Sequence, residues 1–354
     1  MEKVMITGAT GFIGSHVAEA FCDTSIPCVL FARDPKRLCP ELAGRCETIT
    51  GDVRDVTSLA KASRGCSSMV HVAGQASDWG SHEDFISTNV TGTLNVLEAC
   101  SINKISHVII TGSISSYGEE DSTVLKDESS PFDSHYPYFL DRIFPSKLNW
   151  YRDTKAEATR RSLPFARTHG LDLTVIEPVW VYGEREFNTG FFSYLDTVRQ
   201  GLRFLPGSRR NTFHVIYARD LARAYVLAWQ KRIKGIERIL VGNPQPESMH
   251  RIFSLFCTEA GLRPPRLVPH GIAYPIGFAL ELFSALFKTK NPPLLSRGRV
   301  NMFYDSIGYS VKKAERLLGF TCEYSLEQGI RKTVSWYRDN GYLDSTTIKD
   351  TRSP

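Results

Sequence analysis

Three side chains carry the first chemical argument. Tyr151 and Lys155 stand four apart in a stretch of helical pattern, so both lie on one face, a turn apart. A phenol titrates at about pH 10 and is a poor base at neutral pH. A nearby ammonium favours the phenolate and brings it toward the working range. Ser113 comes just past a strand-like run, where its hydroxyl can bond a substrate oxygen while the phenol exchanges a proton. Ser115 and Ser116 are alternatives that lie further from the strand end. Tyr309 and Lys313 repeat the Tyr-x-x-x-Lys spacing. They fall far past the strands with no serine-bearing strand before them, so we read that pair as coincidence.

A second constellation opens the chain. Val4–Thr7 reads as a strand and runs into Gly8-Ala9-Thr10-Gly11-Phe12-Ile13-Gly14, then a helix. A glycine-rich turn there lets backbone N–H groups approach a pyrophosphate at the helix N-terminus. The Gly-x-x-Gly-x-x-Gly spacing is a variant of the dinucleotide fingerprint, and no Lys-Ser/Thr pair follows, so a triphosphate loop fits poorly. Three glycines alone could be a bare turn; their place between first strand and first helix gives them weight. At the end of the second strand an NAD site offers an acid to the adenosine ribose. Arg33 stands there, with Lys36 and Arg37 behind it. A guanidinium suits a 2′-phosphate, so NADP(H) is expected over NAD(H). Asp34 is the rival, able to accept from a ribose hydroxyl. Asp52 and Val53 follow the third strand, where a carboxylate can receive the adenine amino group. Val72, Ala73 and Gly74 follow the fourth, where small residues permit close approach.

These groups need a frame. Strand-like runs at Val4–Thr7, Cys28–Ala32, Glu47–Thr50, Ser68–Val72, Val108–Thr111 and Leu173–Glu177 alternate with helix-like Phe12–Cys22, Val56–Ser63, Phe85–Cys100 and Trp150–Thr168. Short apolar strands between amphipathic helices imply an α/β fold, a doubly wound parallel sheet of Rossmann type. Residues 1–183 are the expected nucleotide-binding domain. Residues 184–345 are the expected smaller α+β substrate region, partly interleaved with the sheet, and 346–354 a tail. The long segment 119–149, rich in Pro, Ser, Asp and aromatics, suggests a functional loop or lid.

With 42% hydrophobic and 23% charged residues the chain is ordinary for a globular protein, and its formal charge of +5 includes no run of like charge, so no nucleic-acid partner is expected. The eight cysteines form no Cys-x-x-Cys pair, so no metal is expected and they read as reduced thiols of a cytoplasmic protein without a leader peptide. Ile272–Phe287 is largely apolar yet short for a bilayer span and interrupted by Pro275 and Glu281. It reads as a buried helix or helix pair. The alternative is an interfacial patch that makes peripheral membrane contact and draws a lipid-like substrate from a bilayer.

The chain resembles the extended short-chain dehydrogenase/reductase family over nearly its whole length. The matching pieces are TGATGFIGS (7–15), GDVRD (51–55), HVAG (71–74), NVTGT (89–93), TGSISSYG (111–118), Tyr151-x-x-x-Lys155 and PVWVYG (178–183). The resemblance implies Gly8, Gly11 and Gly14 at a pyrophosphate, Asp52 and Val53 at adenine, and Ser113, Tyr151 and Lys155 in catalysis. It places Thr10, Phe12, Ile13, Val72, Ala73, Gly74, Pro178 and Val181 along the cofactor. Residues 77–93 and 292–300 look like the 3β-hydroxysteroid dehydrogenase branch, which includes reductases of long-chain oxoacids; Arg33 is similar to the dihydroflavonol reductase branch. The implied reaction is hydride transfer between NADP(H) and a secondary alcohol or ketone of a steroid-like or lipid-like substrate, with a homodimer as the expected assembly. A nucleotide-sugar epimerase is the alternative within the superfamily, and a non-catalytic dinucleotide sensor the alternative outside enzymes. Glu177, where many relatives carry Arg, is a departure.

Overall fold

The computed structural model describes residues 2–77, 79–118, 124–187, 190–287, 289 and 293–343. The tail expected at 346–354 lies outside the described residues, as do 119–123 of the long segment. The apolar runs of the first half become β1 (Val4–Thr7), β2 (Cys28–Ala32), β3 (Glu47–Thr50), β4 (Ser68–His71), β5 (His107–Thr111) and β6 (Asp172–Pro178). The second half adds β7 (Trp180–Tyr182), β8 (Phe204–Pro206), β9 (Thr212–Phe213), β10 (Val215–Tyr217), β11 (Ile236–Val241), β12 (Glu247–Ser248) and β13 (Arg266–Val268). The helices of the first half are α1 (Phe12–Asp23), α2 (Val56–Ala62), α3 (His82–Phe85), α4 (Gly92–Ile102) and α5 (Lys147–His169). Those of the second are α6 (Phe191–Arg199), α7 (Ala218–Lys231), α8 (Met249–Glu259), α9 (His270–Leu286), α10 (Arg297–Met302), α11 (Lys312–Leu318) and α12 (Leu326–Asp339).

Seven parallel strands form one sheet in the order β11-β6-β5-β4-β1-β2-β3. Strand order reverses about β1, which pairs with β2 on one side and β4 on the other. Ligands bind outside the carboxyl ends of strands at such a switch. The register brings Thr7 level with both Phe31 and His71, so the loops after β1, β2 and β4 open side by side. Both faces are covered. Helices α1, α7 and α11 bury Phe21, Tyr225 and Trp229 on one, and α2, α4 and α5 bury Leu59, Val96 and Leu97 on the other. The last strand, β11, comes from far beyond residue 183, and a third core of Phe191, Phe256, Ile330 and Tyr337 holds α6, α8 and α12 together.

Several expectations change. The helix expected from Phe85 to Cys100 is α3 and α4 joined by a π-helical turn, Ile86–Thr91. Cys22 and Cys46 form a disulfide, whereas six cysteines are free, against the reading of eight reduced thiols. Residue spacing could not reveal that the end of α1 meets the chain entering β3. The Ile272–Phe287 segment is a single helix, α9, buried on one face only: Ala273, Gly277, Glu281 and Ser284 are covered. Ile272, Ile276, Leu280, Phe283 and Leu286 face solvent. No helix among the described residues is long and apolar enough to cross a membrane.

Candidate active site

The glycine turn is shaped by close backbone approach. Gly8 has φ +83°, and a Cβ there would lie 2.5 Å from the Ala73 nitrogen. A Cβ on Gly14 would lie 2.0 Å from Gly8 O. Only hydrogen fits at either position. Gly11 is the opposite case: exposed, at the N-cap of α1, with Gly8 O at 3.4 Å the nearest obstacle to a Cβ. The turn thus presents an open helix N-terminus, flanked by half-buried Thr10, Phe12 and Ile13. The wall formed by Val72, Ala73 and exposed Gly74 is fixed by Thr7, whose hydroxyl accepts from Ala73 N at 3.3 Å and meets His71 Nδ1 at 2.7 Å. Burial holds the His71 imidazole down at about 3, so it is neutral. This cradle fits a dinucleotide's pyrophosphate.

Arg33 is exposed at the end of β2. Its rival is otherwise engaged, since the Asp34 carboxylate accepts from Lys36 N at 3.1 Å and caps the turn Pro35–Arg37. The Asp52 carboxylate is also engaged, with Arg54 at 2.7 Å, and that hydrogen bond holds its pKa below the usual range. Val53 is buried against Gly92. Pro178 ends β6, and Val181 lies buried in β7 beside it.

Ser113, Tyr151 and Lys155 come together where β5 ends against α5. Ser113 Oγ lies 3.4 Å from the Tyr151 hydroxyl and 2.7 Å from Ser115 Oγ. Lys155 Nζ donates to Thr111 O at 2.7 Å. That bond turns the amine toward the strand, and the expected effect on the phenol differs accordingly. Burial raises the Tyr151 pKa, and Ser113 and Ser115 are what lower it in part. Burial brings Lys155 down to about 8 despite the nearby Glu177 carboxylate. Ser115, placed second to Ser113 from sequence, shares the hydroxyl cluster with it, whereas Ser116 is buried away.

Tyr309 and Lys313 do not form a pair. Tyr309 is buried with its hydroxyl on Ile114 O at 3.3 Å, and Lys313 reaches Glu237 at 2.7 Å. Glu177 sits fully buried behind Gly112, bonded to the Tyr117 hydroxyl and, at 3.0 Å, to Arg238 Nε. Arg238 carries no sequence signal for this role, being 61 residues away on β11. Phe191, Phe192 and Tyr194, at the start of the second half, are core residues packed on Phe253, Phe256 and Tyr337. Among the arginines of the second half that could meet a diphosphate, Arg219 is paired with Glu184 at 3.0 Å, and Arg209 and Arg210 are exposed.

The described part of the long segment lies along α5. Ser134 Oγ donates to Asp153 at 2.6 Å, and Asn149 bonds both backbone groups of Tyr136. Arg297, the first residue of α10, is fully buried and chelated by Glu281 of α9 at 2.9 Å. Its guanidinium also donates to Phe139 O and Phe144 O, locking α9, α10 and the long segment together.

A glycine cradle at the switch point and a Ser-Tyr-Lys cluster at the same sheet edge agree with what the whole chain matches. Residues 4–242 match the profile of the NAD dependent epimerase/dehydratase family. The chain belongs to that family. The 2-alkyl-3-oxoalkanoate reductase of Shewanella oneidensis is 25% identical over 346 residues, 94% of this chain and 85% of that one. The 3beta-hydroxysteroid-dehydrogenase/decarboxylase isoform 1 of Arabidopsis thaliana is 25% identical, over 93% of this chain and 78% of that one. The structure of MoeE5 in complex with UDP-glucuronic acid and NAD aligns with TM-score 0.73 and 23% identity, over 96% of this chain and 100% of that one. This family member is an NAD(P)-dependent enzyme acting on CH–OH groups, of the extended short-chain dehydrogenase/reductase class.

Proposed function

We propose that the protein interconverts a ketone and a secondary alcohol on an apolar, steroid-like or lipid-like substrate, with NADP(H) preferred over NAD(H). The observation that carries this reading is the 3.4 Å approach of Ser113 Oγ to the Tyr151 hydroxyl beside the glycine cradle. When bound, the nicotinamide dinucleotide supplies or accepts a hydride. Ser113 donates to the reacting oxygen and fixes its position; Tyr151 gives or takes its proton. Lys155, protonated below about pH 8, places positive charge a helical turn from the phenol and offers donors to the cofactor's ribose. Gly8, Gly11 and Gly14 would hold the pyrophosphate, and Arg33 a 2′-phosphate, since Asp34 is committed to its own turn. The names of the relatives add long-chain 3-oxoacids and steroids to the substrates worth testing.

The test is a panel of steroid ketones, long-chain 3-oxoacids, a dihydroflavonol and UDP-sugars, each assayed with NADPH and NADH. Reduction of the apolar ketones with NADPH supports the reading. Binding of UDP-sugars alone, abolished by Arg210→Ala, would replace it with an epimerase.

The exposed stripe of α9 favours peripheral contact with a bilayer. Ile272, Ile276, Leu280 and Phe283 carry no charge among them. The helix's one acid, Glu281, is turned inward to Arg297. Ile276→Asp with Phe283→Asp should abolish co-sedimentation with phosphatidylcholine/phosphatidylglycerol vesicles. A homodimer that the same pair dissociates, with no vesicle binding in the parent, would assign the stripe to a second copy.

A further inference from the structure

Lys147 opens α5 four residues before Tyr151, so the two side chains share a helix face, with Lys155 one turn further on. A cation in the first turn works against the helix dipole, and no acid stands in that turn to offset it. Its ammonium lies 3.6 Å over the Trp79 ring and 5.9 Å from the centre of Trp150. Trp79 comes from the loop after β4 and donates its indole N–H to Thr289 O at 3.3 Å, just past α9. Lys147 is therefore held between the sheet's carboxyl edge and the α9 lobe. It is half-buried, and burial holds its pKa below the ordinary lysine range, with Glu281 acting in the other direction. Glu281 does not reach it, being engaged on both oxygens with Arg297.

An ammonium has three donors, and among the described residues Lys147 uses none in a hydrogen bond or ion pair. The indole faces offset only part of the cost of removing it from water. We propose that Lys147 is the anchor for a carboxylate on the substrate, so that the enzyme selects an oxo acid over the neutral ketone of the same chain. This rests on the reading that Ser113 and Tyr151 hold the reacting oxygen. Four residues of helix rise about 6 Å, a span that the four-carbon stem of a lysine adjusts easily. A carboxylate a few bonds from the carbonyl then meets the ammonium while the carbonyl oxygen meets the phenol. One mobile point charge matches a single carboxylate. A diphosphate calls for several fixed donors, and the Arg297 guanidinium is committed to Glu281 and two carbonyls.

The experiment compares a long-chain 3-oxoacid with the methyl ketone that lacks its carboxylate, in wild type, Lys147→Met and Lys147→Arg. The ratio of kcat/KM for acid over ketone should fall by about tenfold or more in Lys147→Met, the loss of one ion-pair contact, and recover in part in Lys147→Arg. The change should appear in KM. Calorimetry of a saturated fatty acid against the matching fatty alcohol should show the same dependence on Lys147 without turnover. An unchanged ratio, or acid and alcohol losing affinity alike, overturns the anchor and makes Lys147 a packing residue. UDP-glucose binding that alone depends on Lys147 also overturns it. Fatty-acid binding that depends on Lys147, in a protein that reduces neither acid nor ketone, upholds the anchor and sinks the Tyr151 reading instead.

Discussion

The sheet half of the molecule and the α9 lobe treat apolar side chains in opposite ways. In the sheet, Val4, Ile6, Val29, Leu30, Val70 and Ile109 are all fully covered by helices on both faces. In α9, Phe283 is 55% exposed and Leu286 70%, although the helix is largely apolar and is tied down by a buried ion pair. A two-sided core fixes positions, which suits a cofactor cradle where a single Cβ would not fit. A lobe held by one charged clasp and left apolar outside suits reception of a variable, water-shy substrate. The contrast is between a half built for precision and a half built for access.

The strongest way to break this comparison is to show that chemistry does not reside at the sheet edge. Tyr151→Phe removes one hydroxyl beside Ser113 with little change of shape, and should lower kcat by about 10²–10⁴-fold while NADPH affinity, read by fluorescence titration, survives. Tyr309→Phe should keep turnover within a few-fold. A Tyr151→Phe enzyme with near-parental kcat would move the proton-transfer group elsewhere.

The clasp is the next largest effect. Arg297→Met leaves Glu281 buried without its partner, and should cost about 3–5 kcal/mol in denaturant unfolding. Arg297→Met with Glu281→Leu should recover much of that, because two apolar groups need no mutual compensation. If the double variant is no more stable than the single, the pair is not the clasp, and the bonds from Arg297 to Phe139 O and Phe144 O carry the weight.

The same contrast governs what was legible in the residues. The strand bounds Val4–Thr7 and Cys28–Ala32 read correctly because a strand buried on both faces is a continuous apolar run between turn residues. The pairing of Ser113 with Tyr151 followed from their places at strand end and helix face. The exposed face of α9 was not legible: all-round apolarity normally marks a buried helix, and periodicity does not say what covers its outer side. The contacts of Arg238 with Glu177 and of Lys147 with Trp79 were not legible because the partners are distant in the chain.

Arg33 sharpens the comparison within the sheet half, because the proposed preference for NADP(H) rests on this exposed group at the end of β2. Arg33→Ala should weaken NADPH binding by about 1.5–3 kcal/mol, roughly ten- to hundredfold, and leave NADH affinity nearly unaltered. The effect should shrink with added salt, because the guanidinium is exposed. Equal NADPH and NADH affinities in the parent would instead assign the ribose to other groups.

The smallest effect lies where the two halves meet. His135, in the segment laid along α5, bridges Asp153 Oδ2 and Asp141 Oδ2, each at 2.9 Å. The hydrogen bond to Asp153 leads the forces that raise its pKa above 6.5, with burial opposing and both aspartates adding attraction. A histidine whose folded pKa is raised binds its proton more tightly in the folded state. Its stabilisation is therefore complete below the unfolded value of about 6.5 and is lost as pH rises through the folded one. His135→Gln keeps a donor to one aspartate and removes the titration. The parent should melt above the variant at about pH 5.5, with the gap closing by about pH 8.5. The side chain is 57% exposed, so solvent screening limits the gain to below about 1 kcal/mol, roughly 2 °C in Tm. A gap that widened with pH would mean that His135 is held neutral, and that the strap over α5 is secured by Ser134 and Asn149 rather than by charge.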